Sequence, residues 1–149
     1  TLELTTFAEC WATLDACNPI PHIQAGSWVY GNFSTWIGDH AKNRGWDMLV
    51  EAKQAFDQVM AQNQFSPEKR ALVERQLAIC EGSDWFWWFG DYNPAQAVNN
   101  FDRLYRLQLA NLYRYLGLSP PEYLAKHFTS GNESNTPDAG GVMRRGKPS

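Results

Sequence analysis

No apolar run in this chain approaches the roughly 20 residues that a membrane-spanning helix needs, and no basic cluster is larger than Arg144-Arg145. With a formal net charge of −3, it also lacks the positive footprint of a nucleic-acid or anionic-membrane partner. Cysteine is scarce. Cys10, Cys17 and Cys80 are odd in number and match no zinc or redox spacing. They read as buried or half-buried free thiols in a reducing, cytoplasmic setting, with one disulfide plus a free thiol as the other option. His22, His40 and His127 are scattered, so no metal and no cofactor is expected. Gly-x-Ser-x-Gly is missing, and Gly26, Gly31 and Gly38 lie too far apart to cradle a phosphate. The chain begins at Thr1 rather than a methionine and reads as a fragment or processed product, so any upstream signal would go unseen.

Aromatic residues are plentiful instead, with seven tryptophans in 149 residues. They are densest in Glu81-Gly82-Ser83-Asp84-Trp85-Phe86-Trp87-Trp88-Phe89-Gly90-Asp91, where five rings stand in a row. Each removes about 150–250 Å² from water when buried, so this stretch offers more apolar area per residue than any other. On a helix, Trp85, Trp88 and Phe89 share a face while Phe86 and Trp87 point elsewhere; on a strand the rings alternate, and either way both sides carry aromatics. One packing partner cannot cover them all: part of the run is expected to be core and part a wall of something open.

The periodicity around it predicts one helical domain over residues 1–128. Thr6-Phe7-Ala8-Glu9 has the form of a capping box, and a short helix to about Ala16 would carry Phe7, Cys10, Trp11 and Leu14 on one face. Residues 22–39 have neither helical nor strand period, and an irregular segment of that length is usually functional or disordered. Its aromatic content favours function. Asp39 is placed to cap a helix reaching Gln62, with Trp46, Leu49, Val50, Ala52, Phe56, Val59 and Met60 at helical spacing. Ser66-Pro67-Glu68 starts the next helix, which runs toward Gly82 with Leu72, Val73, Gln76, Leu77, Ile79 and Cys80. Residues 95–116 read as a long helix stopped by Gly117, and Ser119-Pro120-Pro121-Glu122 caps a last short one. Residues 129–149 are poor in apolar side chains and are expected to be a disordered tail. The predicted fold is all-α: a bundle of about four to six helices interrupted by one long aromatic-rich loop.

The remaining chemistry is a set of acids and amides among indoles. Trp28, Trp36, Trp85, Trp87 and Trp88 accompany Asp39, Asp84, Asp91, Asn32 and Asn43. Sugar rings present apolar C–H faces and a rim of hydroxyls, which flat indoles and carboxylates suit. Core packing accounts equally for many of these rings, Trp46 and most of the 85–89 run above all. Asp39 and Asp84 also suit helix N-caps, a role worth about 1 kcal/mol each, with Ser83 competing for the second. Asp91 fits an Asx turn.

Gly26-Ser27-Trp28, Gly31-Asn32-Phe33, Trp36-Ile37-Gly38 and Asn43-Arg44-Gly45-Trp46-Asp47 together resemble the last conserved region of glycoside hydrolase family 57. The stretch from Glu81 to Asp91 is similar to the signature that follows it in the α-amylase and amylopullulanase-like members. Phe101-Asp102-Arg103-Leu104, Leu116-Gly117 and Pro120-Pro121 extend the likeness, which covers about Thr5 to Leu124. The resemblance implies a helical region that follows an incomplete seven-stranded (β/α) barrel in a retaining enzyme acting on α-glucans or maltooligosaccharides. It places the glutamate nucleophile and the aspartate acid/base on barrel strands upstream of Thr1, so it assigns no catalytic residue here. A retaining pair needs carboxyls about 5–5.5 Å apart, and the chain by itself is expected to be inactive. Substrate contacts are implied for Trp28, Trp36, Asp84, Trp85 and Trp88, and the barrel is an implied partner. The alternative is a stand-alone carbohydrate-binding or protein-interaction module without catalytic activity.

Overall fold

A computed structural model describes residues 4–14, 18–62 and 65–131. Five α-helices and one 3-10 turn make up the all-α architecture, and the described residues hold no strand pairing beyond an isolated bridge residue. The helices are α1 (Phe7–Thr13), α2 (His40–Gln62), α3 (Pro67–Cys80), α4 (Asp84–Trp88) and α5 (Ala95–Tyr115), followed by a 3-10 turn at Glu122–Ala125.

Local chemistry sets most of the boundaries. The Thr6 hydroxyl accepts from the Glu9 amide while the Glu9 carboxylate accepts from the Thr6 amide, completing the capping box. Asp39 Oδ1 accepts from the amides of Ala41 (2.8 Å) and Lys42 (3.3 Å) and so caps α2. Ser66 does the same for α3 through the Lys69 amide, with Pro67 at the first helical position. At the end of α5, Gly117 takes φ +80°, and the amides of Gly117 and Leu118 close on the carbonyls of Arg114 and Tyr113. That is a Schellman stop, which the left-handed tolerance of glycine permits.

The core forms around α5, which packs against α2, α3, α4 and the 3-10 turn. Tyr105 sits at its centre, fully buried, with its hydroxyl donating to the Gly45 carbonyl at 3.0 Å. Phe86 and Phe89 meet the Tyr105 ring edge-on at 5.9 and 5.4 Å, a favoured aromatic geometry. Gly45 lets α2 come this close: a Cβ there would lie 3.1 Å from Phe86 and 3.2 Å from Phe89. Asp102 is buried on α5 and pairs two-pronged with Arg106 at 3.0 and 3.2 Å, while Arg106 also donates to the Leu124 carbonyl. The ion pair thereby fastens the 3-10 turn to α5.

Several expectations need correction. Helix α1 ends at Thr13, and Leu14 is extended; residues 15–17 lie outside the described set. Among the described residues its apolar face has no partner, and Phe7, Trp11, Leu14 and Cys10 are exposed. Cys10 is therefore not a buried thiol, Cys80 is, and Cys17 lies outside the described residues. Val50, Leu72 and Ile79 fit the helical spacing yet face outward, because each helix presents only a stripe to α5. The last short helix is a 3-10 turn with Pro121 rather than Ser119 at its cap. Thr129, expected to open the tail, is buried, and Phe128 packs edge-on against Phe89 at 5.1 Å. Residues 132–149, the remainder of that expectation, lie outside the described residues.

Candidate aromatic binding site

The loop before α2 is built by its own polar side chains. Ser27 Oγ accepts from the Val29 amide and donates to the Asn32 carbonyl at 2.6 Å, while Asn32 Oδ1 accepts from the Ser34 amide and hydroxyl. Asn43, on α2, accepts from the Gly38 amide at 2.8 Å. Val29 is 1 % exposed and anchors the loop in the body. Such side-chain-to-backbone bonds replace a helix or strand ladder, which is why residues 22–39 show no period.

Two residues of α2 hold the loop from below. Trp46 Nε1 donates to the Trp36 carbonyl at 2.8 Å, and Lys42 Nζ donates to the neighbouring Thr35 carbonyl. They stand four apart on α2 and so share one face. The Trp46 ring stacks on Phe86, with centroids 3.8 Å apart and planes 6° from parallel. Lys42 Nζ also donates to the Tyr92 hydroxyl, which itself donates toward the carbonyls of Phe89 (3.2 Å) and Trp87 (3.3 Å). Asn93 adds bonds to the carbonyls of Trp87 and Trp88. The loop, α2 and the end of α4 are thus tied into one unit.

The five-ring run divides in three. Phe86 and Phe89 go into the core. Phe89 departs from the expected face because α4 stops at Trp88 and Phe89 is extended. Trp85 and Trp88 turn to Phe101 on α5: Trp88 stacks on it at 4.7 Å, and Trp85 meets it edge-on at 6.1 Å while donating to the Ile79 carbonyl. Trp87 alone faces the loop, where Trp28 lies parallel to it (6.3 Å, 5°) and Trp36 is tilted against it (5.8 Å, 44°). Trp28 is 74 % exposed and Trp36 and Trp87 are half-buried, so these three indoles form an open apolar surface.

Of the residues expected to contact a ligand, Trp28 and Trp36 come together, whereas Trp85 and Trp88 form a separate pair on α5. Asp84 is exposed at the first turn of α4, where its charge suits the helix dipole, and Ser83 makes no side-chain cap. Asp91 is exposed in the turn beside Tyr92. Trp87 belongs to the set of indoles singled out in the sequence but not to the implied substrate contacts, and sequence reasoning did not select Lys42 or Tyr92. For Lys42 a signal was present: it lies one turn before Trp46 on the face that continues through Leu49 and Phe56.

Burial pulls the Lys42 ammonium down to about 8, opposed by the charge of Asp39. Burial pushes the Tyr92 phenol up to about 12, reinforced by Asp39 and Asp91. Among the described residues no three His, Cys, Asp or Glu side chains gather as a metal ion would require, and no helix is long and apolar enough to cross a membrane. Compared with protein-family models, curated proteins and solved structures, the chain matches none.

Proposed function

We propose that this chain is the helical, glucan-contacting part of a cytoplasmic family 57-type glycoside hydrolase, a retaining enzyme of the α-amylase or glucanotransferase kind. On this reading the catalytic glutamate and aspartate belong to a barrel that precedes these residues, and the chain supplies a wall of the cleft. The observation that carries the proposal is the meeting of Trp28, Trp36 and Trp87 on an open surface. Two of these rings come from one resembling segment and the third from the other. A stacked pyranose would cover the exposed indole face, and an apolar contact of that size is worth about 1–2 kcal/mol.

Calorimetric titration of the chain with maltoheptaose tests this. Weak saturable binding is expected, reduced about ten-fold by Trp28→Ala or Trp36→Ala. Binding that both substitutions leave intact would remove the sugar role and leave packing. In an enzyme carrying this chain behind its barrel, the same substitutions are expected to raise KM for glucan or shift the balance of hydrolysis and transfer. Tight binding by the chain alone, with no change in the kinetics of such an enzyme, would favour the stand-alone binding module.

A further inference from the structure

Lys42 is a charged side chain, 1 % exposed, whose direct hydrogen-bond partners are neutral: the Thr35 carbonyl and the Tyr92 hydroxyl. Burying an ammonium against neutral groups is costly, and packing alone would be served better by a methionine. The partners suggest what the charge is for. Thr35 precedes Trp36 in the loop, and Tyr92 donates onward to the carbonyls of Trp87 and Phe89. A continuous polar path therefore runs from the base of Trp36, through one ammonium and one phenol, to the base of Trp87. The rings at its two ends are in contact.

We propose that Lys42 is a positioning residue, a clasp whose amine holds the 26–39 loop against the 90–93 turn and so keeps Trp28 and Trp36 seated on Trp87. The sugar consequences rest on the glucan reading above; the clasp itself does not. The charged and titratable groups facing it are Asp39 at the start of α2 and Tyr92 from the turn, with Asp91 beside Tyr92. The loop presents the neutral Thr35 carbonyl. With the amine at about 8 and the phenol at about 12, rising pH strips Lys42 first. A neutral amine offers a lone pair and one donor fewer. The Tyr92 hydroxyl can then turn its proton to Nζ, releasing the carbonyls of Trp87 and Phe89. The clasp stays shut through this rearrangement, because the buried amine gives up its proton more readily than a solvated one and rising pH therefore favours the closed arrangement.

The test follows indole N–H resonances of the full, ¹⁵N-labelled chain from about pH 6.5 to 9.5, assigned with Trp→Phe variants. In the wild type, Trp46, whose indole reports on the Trp36 carbonyl, and Trp87 are expected to shift with a common midpoint at about pH 8. Trp85 and Trp88 should stay still. Lys42→Met should abolish the transition, and Lys42→Arg, which keeps its charge throughout, should hold the low-pH spectrum. Tyr92→Phe cuts the path halfway, so Trp46 should still titrate and Trp87 should not. It also keeps the proposal falsifiable if Lys42→Met fails to fold. A midpoint that survives in Lys42→Met, or a wild type without one, overturns the clasp.

Maltoheptaose titrated at pH 7 into the wild type, Lys42→Met and Tyr92→Phe separates the two readings. About five-fold weaker binding in Lys42→Met or Tyr92→Phe than in the wild type supports both, and is what losing one hydrogen bond amounts to. An indole transition in a chain that never binds the sugar refutes the glucan reading and supports the clasp. Sugar binding without the transition refutes the clasp.

Discussion

The two indole groups that flank α4 start from the same five residues and differ in what holds them. Trp85 and Trp88 rest on Phe101, a side chain of a long helix whose own backbone bonds fix its position. Trp87 rests on Trp28 and Trp36, side chains of a loop whose position depends on Lys42, Trp46 and a few polar contacts. Helix packing commits a ring to one place, because moving it means moving a whole cooperative element. A loop held by hydrogen bonds opens locally at much lower free energy than the global transition. The α5-facing pair therefore reads as architecture and the loop-facing trio as a working surface.

The sharpest way to break this contrast is to remove the ring between the two groups. Phe86 is buried between Trp46 and Tyr105, and Phe86→Ala is expected to destabilise by about 3–5 kcal/mol in urea denaturation. A loss under about 1 kcal/mol would mean that the two groups do not share a core. Trp88→Ala tests the architectural side: stacked on Phe101 and half-buried, it should cost about 1.5–3 kcal/mol and leave maltoheptaose affinity unchanged. An intact midpoint with weakened binding would exchange the roles of the two groups.

A pH series bears on the trio. The folded chain holds the Lys42 proton less tightly than the unfolded chain does, so between about pH 8 and the ordinary value of 10.5 the unfolded state binds more protons. Stability contributed by this group then rises with pH across that window. Burial raises the Cys80 thiol to about 12, and that group works the other way above about pH 9. Urea melts of wild type and Lys42→Met between about pH 7.5 and 9 should therefore differ in slope, with the wild type gaining relative to the variant. Equal slopes would show that Lys42 titrates as a solvated lysine. The smallest effect belongs to Trp28→Ala. Its ring is mostly exposed, so thermal unfolding should move by no more than about 0.5 kcal/mol while sugar affinity falls. A large stability loss would turn Trp28 from surface into core.

The sequence by itself determined the elements that rest on local chemistry. Asp39, Ser66-Pro67 and Gly117 mark helix ends because capping and left-handed stops act over four residues. The stripes of α2 and α5 follow from a 3.6-residue period. The same locality explains what it left undecided. Trp28 and Trp87 are far apart in the chain, and nothing near either residue encodes that their rings are parallel. Nor does composition distinguish Lys42, buried on the Trp46 face, from Lys53, which pairs with Asp57 in solvent. Phe89 leaves the Trp85–Trp88 face only because α4 ends one residue earlier. These outcomes depend on which surfaces the α5-centred core leaves over, a property of the packed whole. The run of five aromatics announced both a core and an open wall; only packing decided that Trp87 was the wall.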